Sequence, residues 1–235
     1  MRALVAGATG AVGTVLVPTL RGAGLQATPH VRPKTAARHP FGKDPEALIC
    51  DLADSAALDR GMAPCGTVVC LVGTMRRRFQ QGDTYESSDY RPVVQLVDSA
   101  KRVPGGPRHF VLLSALGARE GKGYLGWKWR AEEAVRHSGL PWAILRPSFL
   151  DSRGTGSAPS DGRARRPPAV VGGALRLLGS LPALRGITDD LRPLPIDVFC
   201  RAIVRVLRER SPTGAILTGR SLWQAAADPS SAIRG

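Results

Sequence analysis

Arg2-Ala3-Leu4-Val5-Ala6-Gly7-Ala8-Thr9-Gly10-Ala11-Val12-Gly13 is the most informative stretch of this chain. Arg2 to Ala6 has the length and apolar character of a buried strand. Gly7, Gly10 and Gly13 follow with GxxGxxG spacing. Thr14 to Arg21 then reads as a helix, with Val12, Val15, Leu16 and Leu20 as its apolar positions and Pro18 as a point of irregularity. Gly22 and Gly24 end it. A glycine turn between a strand and a helix is the context of a dinucleotide fingerprint. The glycines let the backbone approach a pyrophosphate closely, and the helix start offers free N–H groups and a positive dipole end. Gly13 lets the helix pack against the strand.

Outward from this turn the alternation continues. Strands are predicted over Gln26–Val31, Ala47–Cys50, Thr67–Val72, His109–Leu113 and Trp142–Leu145. Between them, Asp51-Leu52 opens a helix containing Asp54, Ser55 and Asp59. A long helix is predicted over Asp83–Val103, interrupted by Pro92, and another over Tyr124–His137. Strands alternating with helices imply an α/β fold, a doubly wound parallel sheet of the Rossmann type, because the crossovers are right-handed. After Pro147 the pattern fades. Asp151 to Pro168 reads as a mobile Gly/Ser/Arg/Pro-rich loop and Val170 to Leu178 as a short helix. Asp197 to Arg210 reads as an amphipathic helix, Ala215 to Thr218 as a last strand, and the tail from Arg220 as loosely ordered. The expectation is a single NAD(P)-binding Rossmann domain over 1–235, with 147–235 as a small C-terminal extension supplying the variable substrate side.

Composition narrows the function classes. A chain of 235 residues with 43% hydrophobic content can bury a core. No apolar run approaches a membrane span, and the N-terminus lacks a signal-peptide cleavage pattern, so a cytoplasmic location is expected. Cys50, Cys65, Cys70 and Cys200 form no CxxC pair and no zinc spacing, and read as buried thiols; no metal site is expected. The formal net charge is +14, yet only Lys34, Lys43, Lys101, Lys122 and Lys128 are lysines among 33 basic residues. Arginine is dispersed, with local clusters at Arg76–Arg78 and Arg163–Arg166. Without a helix-turn-helix or basic–aromatic pattern, this charge supports non-specific attraction but not specific nucleic-acid binding.

Two further groups of residues carry chemistry. An acid at the end of the second strand would hold a ribose 2′-OH and select NAD. Here His30, Arg32 and Lys34 stand instead, and a guanidinium suits a 2′-phosphate, so NADP is favoured over NAD. Asp51, after the third strand, reads either as a neighbour of the adenine or as the helix N-cap. Ser114 ends the fifth strand, and Tyr124 and Lys128 are four apart on one face of the next helix. The carboxyl end of a parallel strand faces the ligand crevice, which places a hydroxyl, a phenol and an ammonium together. The phenol can exchange a proton with a carbonyl or carbinol oxygen, a nearby cation lowers its pKa, and the serine can hold the oxygen.

These residues resemble the atypical, extended-like branch of the short-chain dehydrogenase/reductase superfamily. The glycine turn, Val111-Leu112-Leu113-Ser114-Ala115-Leu116-Gly117-Ala118 and Leu145-Arg146-Pro147-Ser148-Phe149 carry the likeness, which spans roughly residues 1–218. Cys70 to Arg78, Asp89-Tyr90 and Arg192-Pro193-Leu194-Pro195-Ile196-Asp197-Val198 are similar to the Tat-interacting-protein-like oxidoreductases. NmrA-like regulators and the accessory subunit of respiratory complex I are more distant relatives. The resemblance implies that Gly7, Thr9, Gly10, Ala11, Val12 and Gly13 hold the pyrophosphate, Arg32 the adenosine phosphate, and Asp51-Leu52 the adenine. It implies that Leu71, Val72 and Gly73 line the cofactor and that Pro147, Ser148 and Phe149 abut the nicotinamide. Ser114, Tyr124 and Lys128 would be the catalytic set, Lys128 also bonding the nicotinamide ribose. The implied function is an NADP(H)-dependent oxidoreductase acting on a small carbonyl or alcohol. Epimerisation or dehydration through a transiently used cofactor stays open, as does a catalytically silent NADP(H)-binding redox sensor or regulator. The interval from Ser114 to Tyr124 is short and rich in glycine. Trp127 and Trp129 flank Lys128, either narrowing the substrate site or packing the helix.

Overall fold

The computed structural model describes residues 1–73, 79–80, 82–151, 191–209 and 214–227. The expected helix at Val170–Leu178 and the loop beyond Asp151 lie outside them. In chain order the elements are β1 (Arg2–Ala6), α1 (Gly13–Gly22), β2 (Gln26–Val31), α2 (Pro33–Ala36), β3 (Leu48–Ile49), α3 (Ser55–Met62) and β4 (Thr67–Cys70). A π-helical turn (Glu86–Tyr90) leads directly into α4 (Arg91–Arg102), followed by β5 (Phe110–Leu113), α5 (Gly123–Arg136) and β6 (Trp142–Arg146). Then come β7 (Leu150–Asp151), β8 (Leu194–Pro195), α6 (Ile196–Glu209), β9 (Ala215–Thr218) and α7 (Gly219–Ala226).

The main sheet has seven strands in the order β3-β2-β1-β4-β5-β6-β9, all paired in parallel. β7 and β8 form a separate two-stranded parallel pair. The strand order reverses between β1 and β4, and the crevice outside the carboxyl ends at such a reversal is where open α/β sheets bind ligands. Alternate side chains feed two cores, as strand geometry requires. Ala3, Val5, Val69, Val111 and Leu145 pack with Leu16, Val17 and Leu20 of α1 and Phe199, Ile203 and Leu207 of α6. Leu4, Val68, Phe110, Leu112 and Ile144 pack with Leu58 and Met62 of α3, Leu96 of α4 and Val135 of α5. A Rossmann-type sheet covered on both faces is therefore what the alternation encodes.

Three sequence expectations need correction. The long helix over 83–103 is continuous over 85–102 but changes register: a π-helical turn occupies Glu86–Tyr90, and Pro92 falls in the first turn of α4, where proline is tolerated. Among the described residues, the first part of the tail from Arg220, through Ala226, is helical rather than loose. It forms α7, started by a capping box in which Thr218 and Ser221 satisfy each other's backbone, and anchored by buried Leu222. Asp51 is not the cap of α3. Asp54 is, accepting from the Ala57 N–H at 3.0 Å, while Asp51 accepts from Ala53 N–H in the preceding turn.

Candidate active site

The loops leaving the carboxyl ends of the strands enclose a cavity of about 820 Å³. One end is main chain. Gly7 leaves β1 with φ of 84°, and a Cβ there would sit 2.9 Å from the Leu71 carbonyl carbon. A Cβ on Gly13 would lie 2.5 Å from both the Cα and the O of Ala8. The turn closes through the Gly10 N–H to the Gly7 carbonyl at 3.0 Å. The turn at the start of α1 thus forms a main-chain cradle that any side chain would fill, and the residues present fit a dinucleotide phosphate. Thr9, Gly10, Ala11 and Val12 line the same end, and Leu71, Val72 and Gly73 form the opposite wall.

Farther along, His30, Arg32, Thr35, Asp51 and Leu52 line the cavity. Arg32 is exposed at the start of α2. His30 is buried, with Nε2 3.0 Å from the Cys50 carbonyl, and burial holds its pKa below the ordinary imidazole value. It therefore adds no positive charge at neutral pH, and the cationic character of this wall comes from Arg32. Lys34 is exposed and outside the residues lining the cavity.

The other end is built from side chains. Ser114, Tyr124, Lys128, Pro147, Ser148 and Phe149 all line it. Gly126 of α5 packs directly on the Gly121 carbonyl, which draws the glycine-rich interval down onto the helix and lets Ser114 and Tyr124 face one cavity. Lys128 Nζ lies 3.0 Å from Asp89 Oδ1, 3.4 Å from the Leu113 carbonyl and 5.8 Å from the centre of the Tyr124 ring. Burial pulls the Lys128 pKa down, but Tyr124 and Asp89 together offset it, and the ammonium is held above its ordinary value. Tyr124 is 37% exposed, and its ring meets Tyr85, which Phe79 meets edge-on.

Ser114 shows a feature that the spacing of the motif does not reveal. Its hydroxyl donates to Glu132 Oε1 at 2.5 Å. Arg146 donates to both oxygens of that fully buried carboxylate, from Nε at 2.8 Å and Nη2 at 2.5 Å. Both oxygens are thus occupied as acceptors, so the short contact runs from serine to glutamate. Arg136 adds a longer contact to Glu132 at 3.4 Å.

All the residues proposed from sequence for the cofactor and the acid–base set therefore border one cavity. Trp127 and Trp129 do not border it; Trp127 packs on Tyr90 and under the Arg130 guanidinium, the packing alternative. Asp89, Glu132 and Arg146 were missed as partners. A signal existed for Glu132: Tyr124, Lys128, Glu132 and Arg136 recur every four residues along one face of α5. For Asp89, 39 positions before Lys128, pattern offers no comparable signal. Among the described residues no group of acidic, histidine or cysteine side chains could hold a metal ion, and no helix is long and apolar enough to cross a membrane.

The family model described as NAD(P)H-binding matches residues 7–167. The chain belongs to this NAD(P)H-binding family. Among curated proteins it is 29% identical over 116 residues to protein TIC 62, chloroplastic, of Pisum sativum, which covers 45% of this chain and 21% of that one. It is 27% identical over 174 residues to the Arabidopsis thaliana protein of the same name, covering 63% and 27%. The chain thus spans about a quarter of the length of the curated relatives it matches. Among solved structures, a short-chain dehydrogenase/reductase superfamily protein of Agrobacterium tumefaciens with bound NAD aligns with a TM-score of 0.62 at 16% identity, covering 95% of this chain and 81% of that one. A human epimerase family protein with NADPH aligns at 0.60 and 18% identity, covering 92% and 73%. These two likenesses show the fold. Binding of NAD(P)H is the function the family carries.

Proposed function

We propose that the protein is an NADP(H)-dependent oxidoreductase acting on a small carbonyl or alcohol. The observation that carries this reading is that one cavity joins the glycine cradle to Ser114, Tyr124 and Lys128. Bound NADP(H) supplies the hydride chemistry, and the chain supplies orientation and protons. Gly7 to Gly13 hold the pyrophosphate with main-chain N–H groups. Arg32 pairs with the 2′-phosphate and prefers NADP to NAD, while Asp51 and Leu52 border the adenine. Pro147, Ser148 and Phe149 keep water from the nicotinamide face. Tyr124 passes a proton to or from the substrate oxygen, and Lys128 stabilises the phenolate and meets the nicotinamide ribose. In this reading residues 1–235 act as one unit in the cytoplasm, with 147–235 supplying the substrate side.

A second reading has a specific observation behind it. The Ser114 proton is committed to Glu132, so Ser114 offers a substrate carbonyl no donor unless that bond breaks. This favours a catalytically silent NADP(H) binder that serves as a redox sensor. One pair of experiments separates the two. Titration with NADPH and NADH is expected to give tighter NADPH binding; equal or inverted affinities overturn the assignment of Arg32. A panel of carbonyls with NADPH is expected to show turnover that Tyr124→Phe lowers by a factor of about 10² or more while NADPH affinity is kept. Binding without turnover, unaltered by Tyr124→Phe, makes the protein a sensor.

A further inference from the structure

Asp89 reaches the site from behind. The π-helical turn Glu86–Tyr90 carries it, and its side chain is fully buried against Lys128, itself 5% exposed. A π turn widens the helix by one residue, and such turns recur at functional sites. Here it turns Ser88 and Asp89 inward, just before α4 resumes regular geometry. The contact is closed from a third side by Gly73, after β4. A Cβ at that position would lie 3.2 Å from both Asp89 Oδ1 and Lys128 Nζ. Three segments distant in sequence thus converge on one ion pair beside the Tyr124 ring. Lys128, Tyr124 and Gly73 border the cavity, whereas Asp89 does not.

We propose that Asp89 is a positioning residue that acts through Lys128, holding the ammonium under Tyr124 and cancelling most of its charge there, so that the acid–base site is kept damped. This rests on Tyr124 and Lys128 forming that site, and it adds a control on how strongly the phenol is activated. The charges around Lys128 support it. Tyr124 faces it from its own helix, Asp89 from the π turn and the Cys70 thiol from β4, with the Leu113 carbonyl accepting a hydrogen bond. Burial pushes the Cys70 thiol up to about 11, so it is neutral at physiological pH. Of these groups Asp89 is the one that brings a full opposite charge. A phenol beside a lysine–aspartate pair meets a dipole; beside a bare ammonium it meets a unit charge, which favours phenolate far more.

The test needs neither substrate nor cofactor. The chain has three tyrosines, Tyr85, Tyr90 and Tyr124, so phenolate absorbance against pH is readable in the free protein, and Tyr124→Phe identifies the Tyr124 component. In Asp89→Asn, whose amide oxygen can still accept from Lys128, the Tyr124 midpoint is expected to fall by about one pH unit or more. Asp89→Glu, which restores the charge, is expected to return it toward the wild-type value. A folded Asp89→Asn protein with an unmoved Tyr124 midpoint overturns the proposal, and so does a fall that Asp89→Glu fails to reverse. If Asp89→Asn does not fold, Gly73→Ala reports on the same pair by forcing it apart, with the same downward movement expected and an unmoved midpoint overturning the proposal. Failure of the oxidoreductase reading would instead show as absent turnover with this titration behaving as described.

Discussion

The two ends of the cavity are made of different materials. Around Gly7, Gly10 and Gly13 the wall is backbone, and the space left by absent side chains is the binding feature. Around Ser114, Tyr124 and Lys128 the wall is side chain, and two of these polar groups are tied to buried carboxylates, Lys128 to Asp89 and Ser114 to Glu132. The first end is sensitive to volume and the second to charge. Holding a nucleotide and moving a proton are therefore separable properties here, resting on different residues with different failure modes.

Experiments that break one end and spare the other test this contrast. The largest effect is expected at Glu132. Glu132→Ala strands the Arg146 guanidinium and the Ser114 hydroxyl, and urea denaturation should show a loss of about 3 kcal/mol. Replacing both partners, Glu132→Leu with Arg146→Met, should recover much of it; a single variant as stable as wild type would mean that charge does not hold this end together. Next comes Gly13→Ala, whose methyl collides with Ala8; a stability loss of about 2–3 kcal/mol and loss of NADPH binding in calorimetry are expected. The Tyr124 phenolate titration should stay in place in any folded fraction, and its displacement would show that the two ends are coupled. Arg32→Ala should weaken NADPH by about 2 kcal/mol, roughly 30-fold, and leave NADH unchanged.

The smallest effect concerns pH. His30 is neutral in the folded chain because burial lowers its pKa, whereas the unfolded chain takes up the proton near the ordinary value of about 6.5. The stability it contributes is present above that value and is lost as pH falls toward the folded pKa. In that window the slope should approach 1.4 kcal/mol per pH unit. His30→Gln should flatten the slope, measured as the urea midpoint against pH; an unchanged slope would assign the acid sensitivity to other groups.

How much of this was legible depends on the range over which each interaction works. β1, β2 and β9 match their expected bounds because continuous apolar runs and turn residues act locally. α7 was missed because its start signal is a reciprocal Thr218–Ser221 cap, and one buried leucine gives little periodicity. The π turn was missed because a helix pattern reports amphipathicity, and one inserted residue changes the register without erasing it.

At the site, spacing alone placed the glycines beside a helix start and put Tyr124 and Lys128 on one helix face, since both follow from neighbouring residues and chirality. The carboxylate that pairs with Lys128 and the one that accepts the Ser114 hydrogen bond were settled by packing. Asp89 and Lys128 lie on separate helical segments of the fold, and Glu132 is bridged to Ser114 and Arg146 across two strand ends. The physical reason is that an ion pair is selected by burial and by distances of a few ångströms, and those exist only once the sheet has brought the segments together.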